Sequence, residues 1–245
     1  MGDILHMPGI RLGTGARELL EPICVVGAGR VGSALAARLR ERGVGVRSRA
    51  GRGWEAEGAE LVLLCVPDGA IAEVAQQIEP GPWIAHVSGA TPLAALDPHM
   101  RRFSVHPLQT FTLDRGPEQL DGAWAAVTAE TEEARGLGRS LAETLGLRPF
   151  DVDDGARTLY HAGASIASNY LVTLYRAAAS LFEDAGAPPD ALVPLMTRTI
   201  ENGFQLTGPI SRGDWAVVEA HLGALHEAHP ELEPMYRVLM EATAP

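Results

Sequence analysis

The chain has 245 residues, 46% of them hydrophobic, two cysteines and a formal net charge of −11. That length holds one large domain or two smaller ones with a packed core, and the acidic balance argues against nucleic acid or an anionic membrane as partner. Apolar runs stay short of membrane-spanning length and no signal pattern opens the chain. A cytoplasmic protein is therefore expected, with Cys24 and Cys65 as buried thiols in apolar strand patterns rather than a disulfide.

Residues 1–21 show no clear period and read as a loose, flexible leader. A short apolar run, Pro22-Ile23-Cys24-Val25-Val26, then ends at Gly27-Ala28-Gly29-Arg30-Val31-Gly32, and an Ala-rich helical pattern follows at once. A G-x-G-x-x-G alone is weak evidence. Placed between a strand and a helix, it is the dinucleotide fingerprint: the first glycine for the turn, the second for approach to a pyrophosphate, the third for helix packing on the strand. The helix N-terminus adds unpaired N–H groups for the anion.

Residues 44–48, 60–67, 83–88, 103–106 and 123–128 read as further strands, with helices over 70–78 and 131–145. Strands alternating with helices predict a doubly covered parallel sheet, an α/β fold, over residues 22–153. Ligands of such sheets bind beyond the carboxyl ends of the strands. Val66-Pro67-Asp68, Ser88-Gly89-Ala90 and His106-Pro107-Leu108 fall there.

The end of the second strand reads Val46-Arg47-Ser48-Arg49-Ala50-Gly51-Arg52, with no carboxylate before Glu55. An acidic residue there would accept from a ribose 2′-OH; an arginine beside a hydroxyl suits a 2′-phosphate. NADP(H) is thus expected, held by Gly27, Ala28, Gly29, Arg30, Val31, Gly32, Ser48, Arg49, Val66, Pro67 and Asp68. A basic surface turn without a ligand is the competing reading.

Residues 154–245 change character and read as all-helical. Helical spacing runs over 156–185, stopped by Gly186-Ala187-Pro188-Pro189. Asp190 is a candidate N-cap for a helix over 191–204, Asp214 for one to about 228, and Pro230 opens the last, to about 242. His161, Ser165, Ser168 and Asn169 share one side of the first of these helices, among small and apolar residues. This uncharged stripe is either a cleft-facing site or a solvated or internally bonded face. The apolar residues of this half, among them Leu192, Val193, Leu195, Met196, Leu222, Leu225, Leu239 and Met240, exceed what it can easily bury alone, so a homodimer through the helical domain is expected.

The fingerprint, the LLCVPD strand, the HVSGA and HPLQTF segments and LTGPISRGD (residues 206–214) together resemble the Rossmann-like family with a DUF2520 C-terminal domain, predicted oxidoreductases of the 6-phosphogluconate dehydrogenase-like superfamily. The resemblance runs from about Ile23 to the C-terminus. It implies a Rossmann domain, a helical dimerisation domain and NADP use, without a settled substrate; within the superfamily a deazaflavin is the alternative cofactor. Hydroxy-acid dehydrogenases of this superfamily carry Lys-x-x-x-Asn on the helix opening the second domain. Asn169 matches that Asn, but Ser165 stands at the lysine position, which puts their acid–base mechanism in doubt here. Prephenate dehydrogenases use a Ser after one strand and a His in a His-Pro-Met segment after the next; Ser88 and His106-Pro107-Leu108 look similar.

All 20 basic residues are arginine, so no lysine can act as acid or Schiff base. Tyr160 precedes His161 and, on an ideal helix, points about 100° away from the stripe. The proton donor is therefore expected to be His106, then His161, with Ser88 and Asn169 holding the substrate oxygen or nitrogen. The competing role for His106 is a loop bond through Gln109 and Thr110. His86 and His99 read as structural, and His221, His226 and His229 lack the company of a metal site. The function expected is reduction or oxidation of a small carbonyl, imine or hydroxy acid at an interdomain cleft; a non-catalytic NADP(H)-binding regulatory dimer is the alternative.

Overall fold

The computed structural model describes residues 21–49 and 58–244. The expected leader and residues 50–57 lie outside the described residues, as does the side chain of Arg49. Within them the chain forms two compact units that part between Ile166 and Ala167, later than the change of sequence character at residue 154.

The described part of the first unit is built on a seven-stranded sheet in the order β2-β1-β3-β4-β5-β6-β7. The strands are β1 (Ile23–Val26), β2 (Val46–Arg49), β3 (Leu61–Leu64), β4 (Trp83–His86), β5 (Arg102–Leu108), β6 (Trp124–Ala129) and β7 (Arg148–Asp151). Its helices are α1 (Arg30–Glu41), α2 (Ile71–Gln76), α3 (Glu132–Thr144) and α4 (Arg157–Ser165). The expected helix over 70–78 is a 3₁₀ turn, Asp68–Ala70, followed by the shorter α2.

The short apolar strands are apolar throughout because both faces are covered. Leu61, Val62, Leu63 and Leu64 each have no exposed surface, a burial worth about 1.5–3 kcal/mol per side chain. Ile23, Val25, Leu61 and Leu63 pack with Leu35 and Leu39 of α1 and Leu137 and Leu141 of α3. The alternate residues Cys24, Val26, Val62 and Leu64 pack on the other face with Ile71 and Ala75 of α2 and with Leu93 and Leu96. Thr131 starts α3: its Oγ1 accepts from Ala134 N at 3.2 Å.

Two features depart from the sequence expectation. The sheet is not wholly parallel: β6 runs antiparallel to β5, Ser104 pairing with Thr128 and His106 with Ala126. And β7 extends the sheet beyond β6 in parallel. Its residues, Arg148-Pro149-Phe150-Asp151, are exposed to partly buried, the pattern of an edge strand, where a proline is tolerated.

In the second unit the helices are α5 (Leu171–Asp184), α6 (Leu192–Glu201), α7 (Trp215–Ala228) and α8 (Glu233–Thr243). The helix expected over 156–185 is interrupted by a π-turn at Ile166–Tyr170. Asp190 does not cap α6 but sits in a 3₁₀ turn, Pro189–Ala191, ahead of it. Asp214 occupies the N-cap of α7 without a side-chain cap bond. The last helix starts at Glu233, with Pro234 rather than Pro230 in its first turn. Leu192, Val218 and Leu225 are buried, whereas Val193, Leu195, Val238 and Leu239 are exposed. No described helix is long and apolar enough to cross a membrane.

Candidate functional site

β1 and β3 lie side by side, Val26 opposite Leu64, so the loops that leave them, Gly27–Gly32 and Cys65–Asp68, meet beyond their carboxyl ends. This is where the strand order turns and a doubly wound sheet opens a crevice. Three glycines of the first loop answer to different constraints. Gly27 has φ +108°, and a Cβ on it would meet the Cys65 carbonyl oxygen at 2.4 Å. A Cβ on Gly32 would meet the Gly27 carbonyl oxygen at 2.0 Å. Gly29, at the N-cap of α1, has φ −73° and ψ −172°, a conformation open to any residue. Among the described residues, chain neighbours aside, nothing lies within 4 Å of where its Cβ would be. The fold thus requires Gly27 and Gly32 but not Gly29, whose missing side chain leaves a hollow over the start of a twelve-residue helix. That hollow, with the N–H groups of the first turn, fits a pyrophosphate.

The flanking residues agree. Ala28 and Arg30 are exposed and Val31 half-buried at this loop; Ser33 Oγ donates to the Ala28 carbonyl at 3.1 Å and steadies it. Val66 is half-buried and Pro67 and Asp68 exposed. Arg49 closes β2 opposite Val26, so its backbone stands at the same end of the sheet. Ser48 is exposed, its Oγ accepting from Arg40 of α1, an arginine absent from the sequence expectation. Cys65, expected to be buried, is half-buried, and desolvation pushes its thiol up to about 12, so it stays protonated at neutral pH.

The second cluster grows from β4, β5 and α4. His86 ends β4, buried, with its Nδ1 accepting from Ser88 N at 3.2 Å. Ser88 Oγ bonds Thr91 Oγ1 at 2.9 Å and accepts from Thr91 N at 3.0 Å and Ala90 N at 3.3 Å, so the hydroxyl expected to hold substrate folds its own loop. Gly89 follows, and a side chain there is excluded: a Cβ would lie 2.6 Å from His161 Cδ2 and 2.8 Å from His106 Cε1. The two imidazoles cross edge to face with centroids 5.9 Å apart. The structure therefore brings together Ser88, His106 and His161 around one bare stretch of backbone.

Asn169 belongs to the second unit. It lies in the π-turn, where its carbonyl accepts from Thr173 Oγ1 at 3.4 Å. That turn breaks the 3.6-residue period on which a shared face for His161, Ser165, Ser168 and Asn169 rests.

Two further residues join this cluster. Tyr160 Oη lies 2.7 Å from His106 Nδ1, and its ring stands edge-on between His106 and Phe150 of β7. The angular argument that set Tyr160 aside compared it with the stripe, whereas β5 approaches α4 from another side. The competing loop role for His106 does not hold either: Gln109 Nε2 donates instead to the Gln119 carbonyl at 2.9 Å.

Beneath the loop, Arg157 is 2% exposed. Its Nη1 donates to Thr128 Oγ1 at 2.7 Å and its Nη2 to the Ser88 carbonyl. The nearest carboxylate, Asp154, is 3.9 Å from its Nε and itself accepts from Leu93 N at 3.0 Å. Arg38 is buried as well, and nothing in the sequence marks these two among the twenty arginines.

The site's electrostatics follow from this burial. Desolvation first, then the Arg157 charge, takes His86 down to about 3. Desolvation, then His161 and Arg157, takes His106 down to about 4, with Asp68 working against them. Burial pushes the Tyr160 phenol up to about 12, partly offset by Arg157. At neutral pH His106 is therefore an uncharged imidazole.

The remaining described histidines are structural or surface groups. His99 is buried with Nε2 bonded to the Ala75 carbonyl at 3.0 Å. His221 pairs with Tyr236, His226 with Glu233, and His229 with Asp184 and Glu231. Among the described residues no group of three His, Cys, Asp or Glu is placed to hold a metal ion.

Comparison with known proteins matches this architecture. A Bacteroides fragilis protein named a "putative NADP oxidoreductase" superposes with TM-score 0.75 at 26% identity, over 92% of this chain and 98% of its own. A Thermotoga maritima protein, TM1727, follows at 0.71 and 22%, covering 90% and 96%. The reductive aminase of Aspergillus terreus, solved with NADPH and ethyl levulinate, shares the fold at 0.64 and 14%, covering 90% and 92%. No curated protein sequence matches the chain significantly. Residues 123–243 match the family model described as "Domain of unknown function (DUF2520)". The match starts within the sheet, takes in Arg157, Tyr160 and His161, and leaves out the glycine loop and HPLQTF. The DUF2520 match thus spans the C-terminal part of a Rossmann-type α/β protein.

Proposed function

We propose that the protein is an NADP(H)-dependent oxidoreductase acting on a small carbonyl, imine or hydroxy acid. The observation that carries this is the hollow at Gly29: a glycine the fold does not require, at a helix N-terminus, beside the point where the strand order turns. The 26%-identical Bacteroides fragilis protein, whose name includes NADP, supports it. In this reading Gly27–Gly32 take the pyrophosphate, and Ser48 and Arg49 the 2′-phosphate. Val66, Pro67 and Asp68 line the path toward the second cluster. When bound, the nicotinamide supplies or accepts hydride. The chain's own work is to hold the substrate beside Gly89 and to manage the proton through His106, with His161 as neighbour. Asn169 is kept as a candidate substrate residue, and we assign the helical unit to dimerisation. Support for that is α5, which buries none of its 14 residues, and the exposed Val193, Leu195 and Val238.

Calorimetry tests the cofactor assignment. The wild type should bind NADPH. Gly29→Val, which places a branched side chain in a hollow where its Cβ meets no described atom within 4 Å, should keep its unfolding midpoint and lose affinity about tenfold or more, ~1.4 kcal/mol. A wild type without NADPH affinity, or a valine variant that binds as well, refutes the assignment.

A further inference from the structure

Tyr160 is the group whose placement the cofactor and substrate assignments leave unused. Arg157, Tyr160 and His161 stand at i, i+3 and i+4 on α4 and so share a face. That face meets His106, which the geometry holds from two sides: Tyr160 Oη at Nδ1, 2.7 Å away, and the bare Gly89 backbone by Cε1 and Nε2. A phenol is the stronger acid and an imidazole nitrogen the stronger base of such a pair, so the bond runs O–H···N. Nδ1 is then the acceptor, and the ring proton sits on Nε2.

We propose that Tyr160 is a positioning residue that fixes His106 as its Nε2–H tautomer, making the pair a two-proton relay toward the substrate bound beside Gly89. This rests on the carbonyl-reductase reading above, with a reduced nicotinamide as hydride donor. As hydride reaches the carbonyl carbon, the C=O π pair moves onto oxygen. The O–H bond forms as Nε2–H breaks, Nδ1–H forms as the Tyr160 O–H breaks, and a phenolate remains. Nδ1–H then returns its proton to the phenolate while Nε2 takes one from water, which restores the starting tautomer. His106 stays uncharged throughout, which suits an imidazole whose burial and neighbouring Arg157 disfavour a cation. The buried Arg157 guanidinium, 3.9 Å from Asp154 at its Nε, offsets part of the burial that disfavours the phenolate. Charge appears where the fold already holds its opposite.

The test needs neither cofactor nor substrate. Long-range nitrogen–proton NMR on the uniformly labelled full chain reports the tautomer of each histidine, with His106→Asn assigning the signal. The expected result is a single Nε2–H tautomer for His106, and in Tyr160→Phe a mixture in which the Nδ1–H form rises severalfold. An Nδ1–H tautomer in the wild type overturns the proposal even if the phenylalanine variant does not fold. A folded Tyr160→Phe with an unchanged tautomer overturns it too. Failure of the wild type to bind NADPH would instead strike the functional reading and leave the tautomer result standing.

Discussion

Mild acid should destabilise the first unit through two histidines. In an unfolded chain a histidine takes up its proton near pH 6.5, whereas the fold holds His86 and His106 down to about 3 and about 4. As the pH drops below 6.5 the unfolded state binds protons that the folded state refuses. The stability these groups contribute is therefore complete above about pH 6.5 and is lost progressively toward pH 4. At about pH 5.5 the unfolded state gains about 1.4 kcal/mol per histidine, so the pair costs about 3 kcal/mol relative to about pH 7.5. Carboxylates are still largely ionised in that window. His229, raised by Glu231 and Asp184, works in the opposite direction, its contribution being lost as the pH rises. Urea unfolding at the two pH values, followed by fluorescence of the buried Trp83, measures the difference. His106→Asn should halve the pH-dependent loss whatever it does to stability at neutral pH. Equal losses in variant and wild type would refute the reasoning, because the imidazole would then titrate freely in the fold.

Two further outcomes are expected. Arg49→Ala should weaken NADPH by about 1–3 kcal/mol, the loss of a charged hydrogen bond, while NADH affinity stays constant in the same calorimeter; equal effects on both would remove Arg49 from the 2′-phosphate. Light scattering at micromolar concentration should give twice the 26.0 kDa chain mass, and a monomer would count against the helical unit as a dimerisation surface.

How far the sequence carried the reading depends on what each signal encodes. Leu61–Leu64 and the glycine loop were legible because an apolar run between turn residues, and glycines at fixed offsets, express local requirements. The antiparallel β6 was not, since an apolar strand looks the same in either direction. β7 escaped because an edge strand such as Arg148-Pro149-Phe150-Asp151 has no apolar run to show. Ser88 and His106 stand out by their place after strands, but the bonds of the Ser88 hydroxyl to Ala90 and Thr91 and the burial that lowers His106 are set by tertiary structure. Tyr160 was discarded on helical angles alone, which describe one helix and not what packs against it. Arg157 was invisible, since only tertiary structure decides which of many arginines loses its water.

The pairing of β5 with β6 bears on how this protein can be divided. The DUF2520 match begins at residue 123, on the β6 side of that seam, so a cut at the start of the matched segment would divide the sheet. Excised at that point, β6 would present the unpaired N–H and C=O row that Phe103–Leu108 now covers, flanked by Ala125 and Val127 stripped of their packing. Such an edge recruits other strands and drives aggregation. Expression studies of this family segment therefore belong on the whole chain, with the boundary for any truncation drawn outside the sheet.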